Sequence, residues 1–257
     1  MPLEGVTFHR FRTDRIWTRD SGPIFVTAGE KKAIARFRFN AWAKYPDWKN
    51  DVRNPERAAR ALGLPLLPVV HRGREVVLEG GAIDVNGRGS ILTTEECLLD
   101  PAVQVRNPGF GREDYEQVFA SALGAGNTLW LGKGIAGDDT HGHVDDLARF
   151  VTPRMMVLCR ETNPNDPNNR PLEENRERLE SAKLQDGSRP EVVYLPMPAP
   201  VVLDGQRLPA SYANFYVSNA AVLVPTFNDP SDRIALGILA ELFRDRPVVG
   251  IHALDLV

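Results

Sequence analysis

Residues 76–132, VVLEGGAIDVNGRGSILTTEECLLDPAVQVRNPGFGREDYEQVFASALGAGNTLWLG, decide the fold. VVLEGGAIDV and RGSILTT flank Asn86-Gly87, the strongest short hairpin signal, because both turn residues tolerate positive φ. EDYEQVFASAL then places Tyr115, Val118, Phe119 and Ala122 on one helical face, and Gly124 marks the helix end. NTLWLG follows as a third apolar strand. Strand, turn, strand, helix, strand is a complete ββαβ unit.

The same order recurs on both sides. Upstream, WTRDSGPIFV and KAIARFRF form a candidate hairpin. A helix follows, with Asn54 as N-cap, Pro55 at its first position and Gly63 just past its end. PLLPVV closes that unit. Downstream come HVDDLARFV, RMMVLC, the helix LEENRERLESAKL and the strand EVVYLPM. The charges of this helix, the Glu174 and Arg178 pair among them, make a solvated face. A fourth unit runs SYANFYVSN, AAVLVPTF, a helix capped by Ser231 with Ala235, Ile238, Leu239 and Leu242 inward, then PVVGIHA. The pattern predicts an α/β fold in which four units, roughly 12–70, 75–132, 143–197 and 211–253, form a single domain of radial or stacked repeats. The stretch from Asn163 to Arg170 is rich in Pro, Asn and Asp and reads as a surface loop. Val6 to Phe11 resembles the last strand of a further unit, and LDLV stops without terminal structure. Truncation at both ends is therefore expected.

Composition narrows the class. The 257 residues are 42% hydrophobic with a net charge of −3, and no run of Lys or Arg suggests nucleic acid or an anionic membrane as partner. No apolar stretch is long enough to cross a bilayer. The first fifteen residues carry charges where a signal peptide needs an apolar region. Cys97 and Cys159 are the only cysteines, too few for a disulfide framework. A reduced, cytoplasmic protein is expected, and self-association of the complete protein stays open.

Each unit opens with a polar group in an otherwise apolar strand: Asp20, Glu79, His143 with Asp145, and Asn214. Repetition brings equivalent positions to one end of the architecture. Several carboxylates aimed at one place repel one another unless a cation, metallic or organic, neutralises them. The densest cluster is GDDTHGHVDD, residues 137–146. THGHVDD resembles a metallo-β-lactamase-type metal signature, with Asp146 in place of the final His. Downstream of Asp146 the only histidine is His252, so a metal site lacks imidazole ligands. The other interpretation is a His-x-Asp pair on a strand, both side chains on one face. His143 then shuttles protons and Asp145 accepts hydrogen bonds from a bound cation. His141 is assigned to the entry loop. A planar guanidinium fits this set, bracketed by Asp20 and Asp145. Trp17 lies against it as a cation–π or apolar wall, or is ordinary core packing.

WTRDSGP, the EGG of LEGGAIDVNGRG, GDDTHGHVDDLARFV and LPASYANFYVSNAAVLVPTFNDPSD together resemble the agmatine deiminases and the bacterial peptidylarginine deiminase-like proteins of the guanidine-modifying superfamily. The resemblance covers essentially the whole chain. It implies an α/β propeller of the pentein type, with about four of five ββαβ units present. It also implies that Asp20 and Asp145 grip the guanidinium, that His143 is the general acid/base, and that Glu79 orients or charges His143, with Asn214 nearby. The implied reaction is cysteine attack on the guanidinium carbon, loss of ammonia, and hydrolysis of the amidino-thioether. From agmatine the product is N-carbamoylputrescine.

The nucleophile belongs to a His-Cys pair expected shortly beyond VVGIHALDLV, where this sequence ends. Cys97 follows Glu95 and Glu96, whose charges disfavour a thiolate, and Cys159 lies in an apolar strand. Both are assigned structural roles and are expected away from His143; a cysteine beside it becomes a nucleophile candidate. Neither cofactor nor metal is required. A small guanidine is the expected partner, and the chain as written is expected to be an inactive fragment.

Overall fold

The protein's computed structural model describes residues 6–257. It contains two compact units, Met1–Gly80 and Gly81–Val257, and is of mixed α/β class.

In the first unit, Ile24–Ala28 pairs antiparallel with Lys31–Arg36, which pairs parallel with Leu66–Pro68. A parallel partner requires a crossover, supplied by the helix Asn54–Leu62. Gly63 ends that helix in the left-handed conformation, φ 64°, a conformation that costs glycine no Cβ clash. Arg53, not Asn54, occupies the cap position. The Asn54 amide instead donates to Ser21 Oγ at 3.1 Å.

The second unit holds three sheets of the same order: Asp84–Val85, Ser90–Thr94 and Asn127–Leu131; Ala148–Phe150, Met155–Arg160 and Glu191–Pro196; Tyr216–Val217, Val222–Thr226 and Val248–His252. In each, an antiparallel pair is followed by a helix and a parallel third strand. The middle strands Ser90–Thr94 and Met155–Arg160 are buried on both faces along most of their length, as parallel pairing under crossover helices demands, whereas Val222–Thr226 leaves Leu223 exposed. Leu92, Leu131, Met156, Leu158, Leu195, Val222 and Val224 form one continuous core. Tyr115, Val118 and Phe119 of the helix Arg112–Leu123 are buried as the spacing predicts. Each contributes about 1.5–3 kcal/mol, and Phe119→Ala costs about 3–5 kcal/mol through the cavity it leaves. At the hairpin, Asn86 Oδ1 accepts from the backbone of Arg88 and Ser90 at 2.9 and 3.0 Å, and Gly87 takes φ 69°.

Several expected elements differ. Residues 6–11 form no strand; an extended segment without a ladder partner leaves its backbone groups to solvent. Residues 18–21 are a short helix, not the start of a strand. The last helix, Pro230–Leu242, is capped by Asp229 and not by Ser231: the Asp229 carboxylate accepts from Ser231 N, with Pro230 in the first turn and Asp232 completing a capping box. Glu174 pairs with Arg170, because Arg178 reaches Glu95 instead.

One correction bears on function. The polar residues that were expected inside the opening strands stand just ahead of them. Asp20 lies in the helix Thr18–Ser21, Glu79 precedes the turn Gly80–Ala82, and His143 caps the turn Val144–Asp146. Asn214 precedes the strand Tyr216–Val217. A single helical turn at the mouth of a strand presents polar groups without breaking the ladder.

Candidate functional site

The first unit brings the Asp20 and Glu79 segments together. A Cβ at residue 80 would fall 2.2 Å from the Arg19 carbonyl oxygen, so only glycine lets the chain beside Glu79 press so closely on the Arg19-Asp20 turn. Glu79 is fully buried. Asp20 is half-buried, and its Oδ2 accepts from Trp42 Nε1 at 3.0 Å. Trp17, on the same short helix as its N-cap, is 47% exposed. It is therefore not core packing.

Trp42 is the residue that sequence reasoning missed. Ala41, Trp42 and Ala43 all adopt positive φ, 51°, 58° and 54°. Left-handed backbone costs about 1–2 kcal/mol per non-glycine residue. Burial of the indole at 3% exposure and an edge-to-face contact with Phe39 at 5.3 Å offset that strain. Asn40 Oδ1 secures the turn by accepting from Ala43 N at 2.8 Å.

The second unit places His143 and Asp145 on one turn. Both are nearly fully buried, and His143 Nδ1 lies 4.0 Å from Asp145 Oδ1. That separation is too long for a direct hydrogen bond but close enough for a strong electrostatic interaction at low dielectric. The turn is held by Asp138, whose Oδ2 accepts from the backbone of Gly142 and His143 at 2.7 and 2.8 Å. Gly142 takes φ +87°, and a Cβ there would strike the Glu96 side chain. Asn214 Nδ2 donates to Asp146 Oδ1 at 2.6 Å, so this amide is engaged beside Asp145. The Asp146 carboxyl is pushed well above the usual range by burial first, then by the charges of Asp145 and Asp138.

The metal interpretation of residues 137–146 loses its ligand set. Asp138 is turned to backbone donors, His141 Nε2 meets Asp100 Oδ2 at 2.9 Å, and Asp146 holds Asn214. Among the described residues, no three His, Asp or Glu groups of this stretch converge within 4.8 Å.

The cysteines divide. The Cys159 thiol is buried, meets Ser211 Oγ at 3.3 Å, and is pushed up to about 12 by burial. Cys97 departs from expectation: its Sγ lies within 4.8 Å of a His143 ring nitrogen. Thr94 Oγ1, at the mouth of the helix Glu95–Leu99, accepts from Cys97 N and donates to the Gly142 carbonyl, which ties that helix to the His143 turn. At 2% exposure the Cys97 side chain is enclosed.

The family model of the Porphyromonas-type peptidyl-arginine deiminase matches residues 1–257. A Legionella pneumophila protein named "Putative agmatine deiminase" is 36% identical over 93% of this chain and 68% of its own length. The structure of Enterococcus faecalis agmatine deiminase catalysing its reaction superposes with a TM-score of 0.87 at 30% identity, covering 96% of this chain and 72% of that one. A cysteine-to-serine variant of Campylobacter jejuni agmatine deiminase with substrate bound gives 0.84 at 29% identity, over 96% and 70% of the two chains.

Proposed function

The chain belongs to the Porphyromonas-type peptidyl-arginine deiminase family, and from that premise we propose that it recognises the guanidinium of a small substrate, agmatine first. The reaction such a site serves, when a thiolate nucleophile is supplied, is hydrolysis of a guanidine C–N bond, giving N-carbamoylputrescine and ammonia on the way to putrescine. The observation that carries this proposal is the enclosed His143–Asp145 pair on one turn. Asp145 and Asp20 accept charge-assisted hydrogen bonds from the guanidinium, whose planar fork suits carboxylates better than a point charge does. Once a thiolate has added to the guanidinium carbon, His143 protonates the departing nitrogen as the C–N bond breaks, and it then deprotonates the water that hydrolyses the resulting amidino-thioether. Glu79 orients or charges His143. Trp17, exposed on the Asp20 helix, supplies an apolar wall. Asn214 acts near the substrate through Asp146.

The four ββαβ units are read, on the motif resemblance, as blades of a pentein-type propeller in a single domain. Neither Cys97 nor Cys159 is assigned the nucleophile. Burial holds the Cys159 thiol protonated at pH 7, and Cys97 lies in the helix Glu95–Leu99, not ahead of an opening strand as the other site residues do. Guanidinium recognition without turnover is thus the property proposed for these 257 residues.

Isothermal titration tests recognition. Agmatine is expected to bind, with arginine weaker or equal. Asp145→Asn and Asp20→Asn are each expected to weaken binding by two to three powers of ten, corresponding to the loss of about 3–5 kcal/mol when one partner of a buried ion pair is removed. A change below tenfold in both variants would show that neither carboxylate holds the guanidinium.

A further inference from the structure

We infer that Trp42 is a specificity-determining positioning residue, which sets the plane of the Asp20 carboxylate so that it selects a planar guanidinium over an ammonium. The inference rests on the proposed role of Asp20 and lies wholly within the first unit.

Two side chains meet at this hydrogen bond. Asp20 sits half-buried on a four-residue helix. Trp42 is held on every side. Its backbone is locked in a left-handed turn flanked by two more left-handed residues. Its ring meets Phe39 edge-on at 5.3 Å and Tyr45 at 6.1 Å, and the Arg15 guanidinium lies 5.5 Å from its centroid. A left-handed Ala-Trp-Ala turn is retained only where surrounding structure over-determines it, and such turns cluster where geometry matters to function. The rigid indole therefore helps to orient the carboxylate it bonds.

A carboxylate with one oxygen fixed at 3.0 Å by an indole N–H cannot turn about its Cβ–Cγ bond without losing that bond. Its plane is set, and with it the directions in which it accepts further hydrogen bonds. A guanidinium presents its donors in one rigid plane, so its affinity depends on this alignment. An ammonium has three donors on a rotating head and binds a carboxylate of any orientation nearly as well. Fixing the plane of Asp20 thus discriminates between agmatine and putrescine, two cations that differ at this head group.

The test uses the full 257-residue chain with agmatine and putrescine as probes, the latter measured by competition against agmatine. Trp42→Phe keeps an aromatic ring in place and removes the N–H. Agmatine affinity is expected to fall about tenfold while putrescine affinity changes less than twofold, so that the selectivity ratio collapses. A second measurement needs no substitution: the Trp42 indole ¹H–¹⁵N resonance of the wild-type chain is expected to move on saturation with agmatine. Agmatine affinity within twofold of wild type in Trp42→Phe overturns the assignment. So does equal loss of both ligands, the mark of a structural defect, or an indole resonance that stays still while agmatine binds. A wild-type chain that binds neither agmatine nor arginine overturns the guanidinium proposal itself and the Trp42 assignment with it. Binding that Asp20→Asn abolishes and Trp42→Phe leaves intact removes only the latter.

Discussion

Asn214 Nδ2 donates to Asp146 Oδ1 at 2.6 Å, joining positions 68 residues apart. The acceptor is enclosed beside Asp145, and its carboxyl is held protonated to unusually high pH, chiefly by burial. The Asn214 amide opposes that shift without cancelling it. Asp146, adjacent to Asp145 on one turn, is therefore a largely neutral group that serves the scaffold.

A carboxyl whose native pKa is raised gives a definite sign. Above about pH 4 the unfolded chain releases this proton while the native state keeps it, so the native state binds more protons and loses stability as pH rises toward the raised value. Asp146→Asn removes the ionisation yet keeps an oxygen for Asn214. Urea denaturation at pH 5 and pH 8 is expected to show a smaller loss of stability with rising pH in the variant, with agmatine binding retained. Profiles that run parallel would remove Asp146 from this role.

Arg149 ties the same region together. Its Nε donates to Asp84 Oδ1 at 2.9 Å and its Nη1 to the Phe215 carbonyl at 2.8 Å, next to Asn214. Asp84 Oδ2 also accepts from Phe150 N at 2.6 Å. Arg149→Ala leaves a low-exposure carboxylate and a carbonyl without this donor, and is expected to cost about 3–5 kcal/mol in urea denaturation. A loss under about 1 kcal/mol would mean that the tie is replaceable by water.

Much of the fold was legible because its signals are local. Asn86-Gly87, the Pro55 and Gly63 pair, and the spacing of Tyr115, Val118 and Phe119 each state a backbone conformation within a few residues. The caps were less secure. Asp229-Pro230 with Asp232 carries a full capping signature, and Ser231 was the more conspicuous but weaker choice. The site turns were misread as strands for a physical reason: one helical turn is too short to show a period, and an apolar strand follows at once. Trp42 carried no signal, since left-handed backbone is announced by Gly or Asn and here falls on Ala-Trp-Ala. The Cys97–His143 approach arises from tertiary packing between segments forty-six residues apart (143 − 97), which no short motif encodes.

Acid behaviour follows from the loop that carries His141. The Asp100 carboxyl is lowered to about 2, first by hydrogen bonds from the Val103 and Ala102 backbone and then by His141. A depressed carboxyl contributes stability above its unfolded value, near 4, which is lost as pH falls toward 2. Asp100→Asn is expected to unfold at higher pH than wild type in an acid titration followed by circular dichroism. An unchanged midpoint would place the stabilising effect elsewhere.

The last expectation concerns the cysteine beside His143. A guanidinium carbon is stabilised by three nitrogens, so its hydrolysis needs a nucleophile that forms a covalent intermediate and leaves again. Proximity to an imidazole makes Cys97 the one sulfur here with a neighbour able to take its proton. Placement decides against it: Cys97 lies in the helix Glu95–Leu99, not on a turn ahead of an opening strand as Asp20, Glu79 and His143 do, and attack requires a carbon held within about 3–3.5 Å of the sulfur. The 257-residue chain is accordingly expected to bind agmatine without releasing ammonia. Cys97→Ala and Cys159→Ala are expected to leave the binding constant within threefold of wild type. Iodoacetamide at pH 7 is expected to alkylate neither cysteine in the native protein and both after denaturation, read by mass spectrometry. Ammonia release that Cys97→Ala abolishes, together with native alkylation that agmatine blocks, would make Cys97 the nucleophile. Release that persists in both variants would mean that water attacks directly with His143 as base, and the requirement for a thiolate would fall.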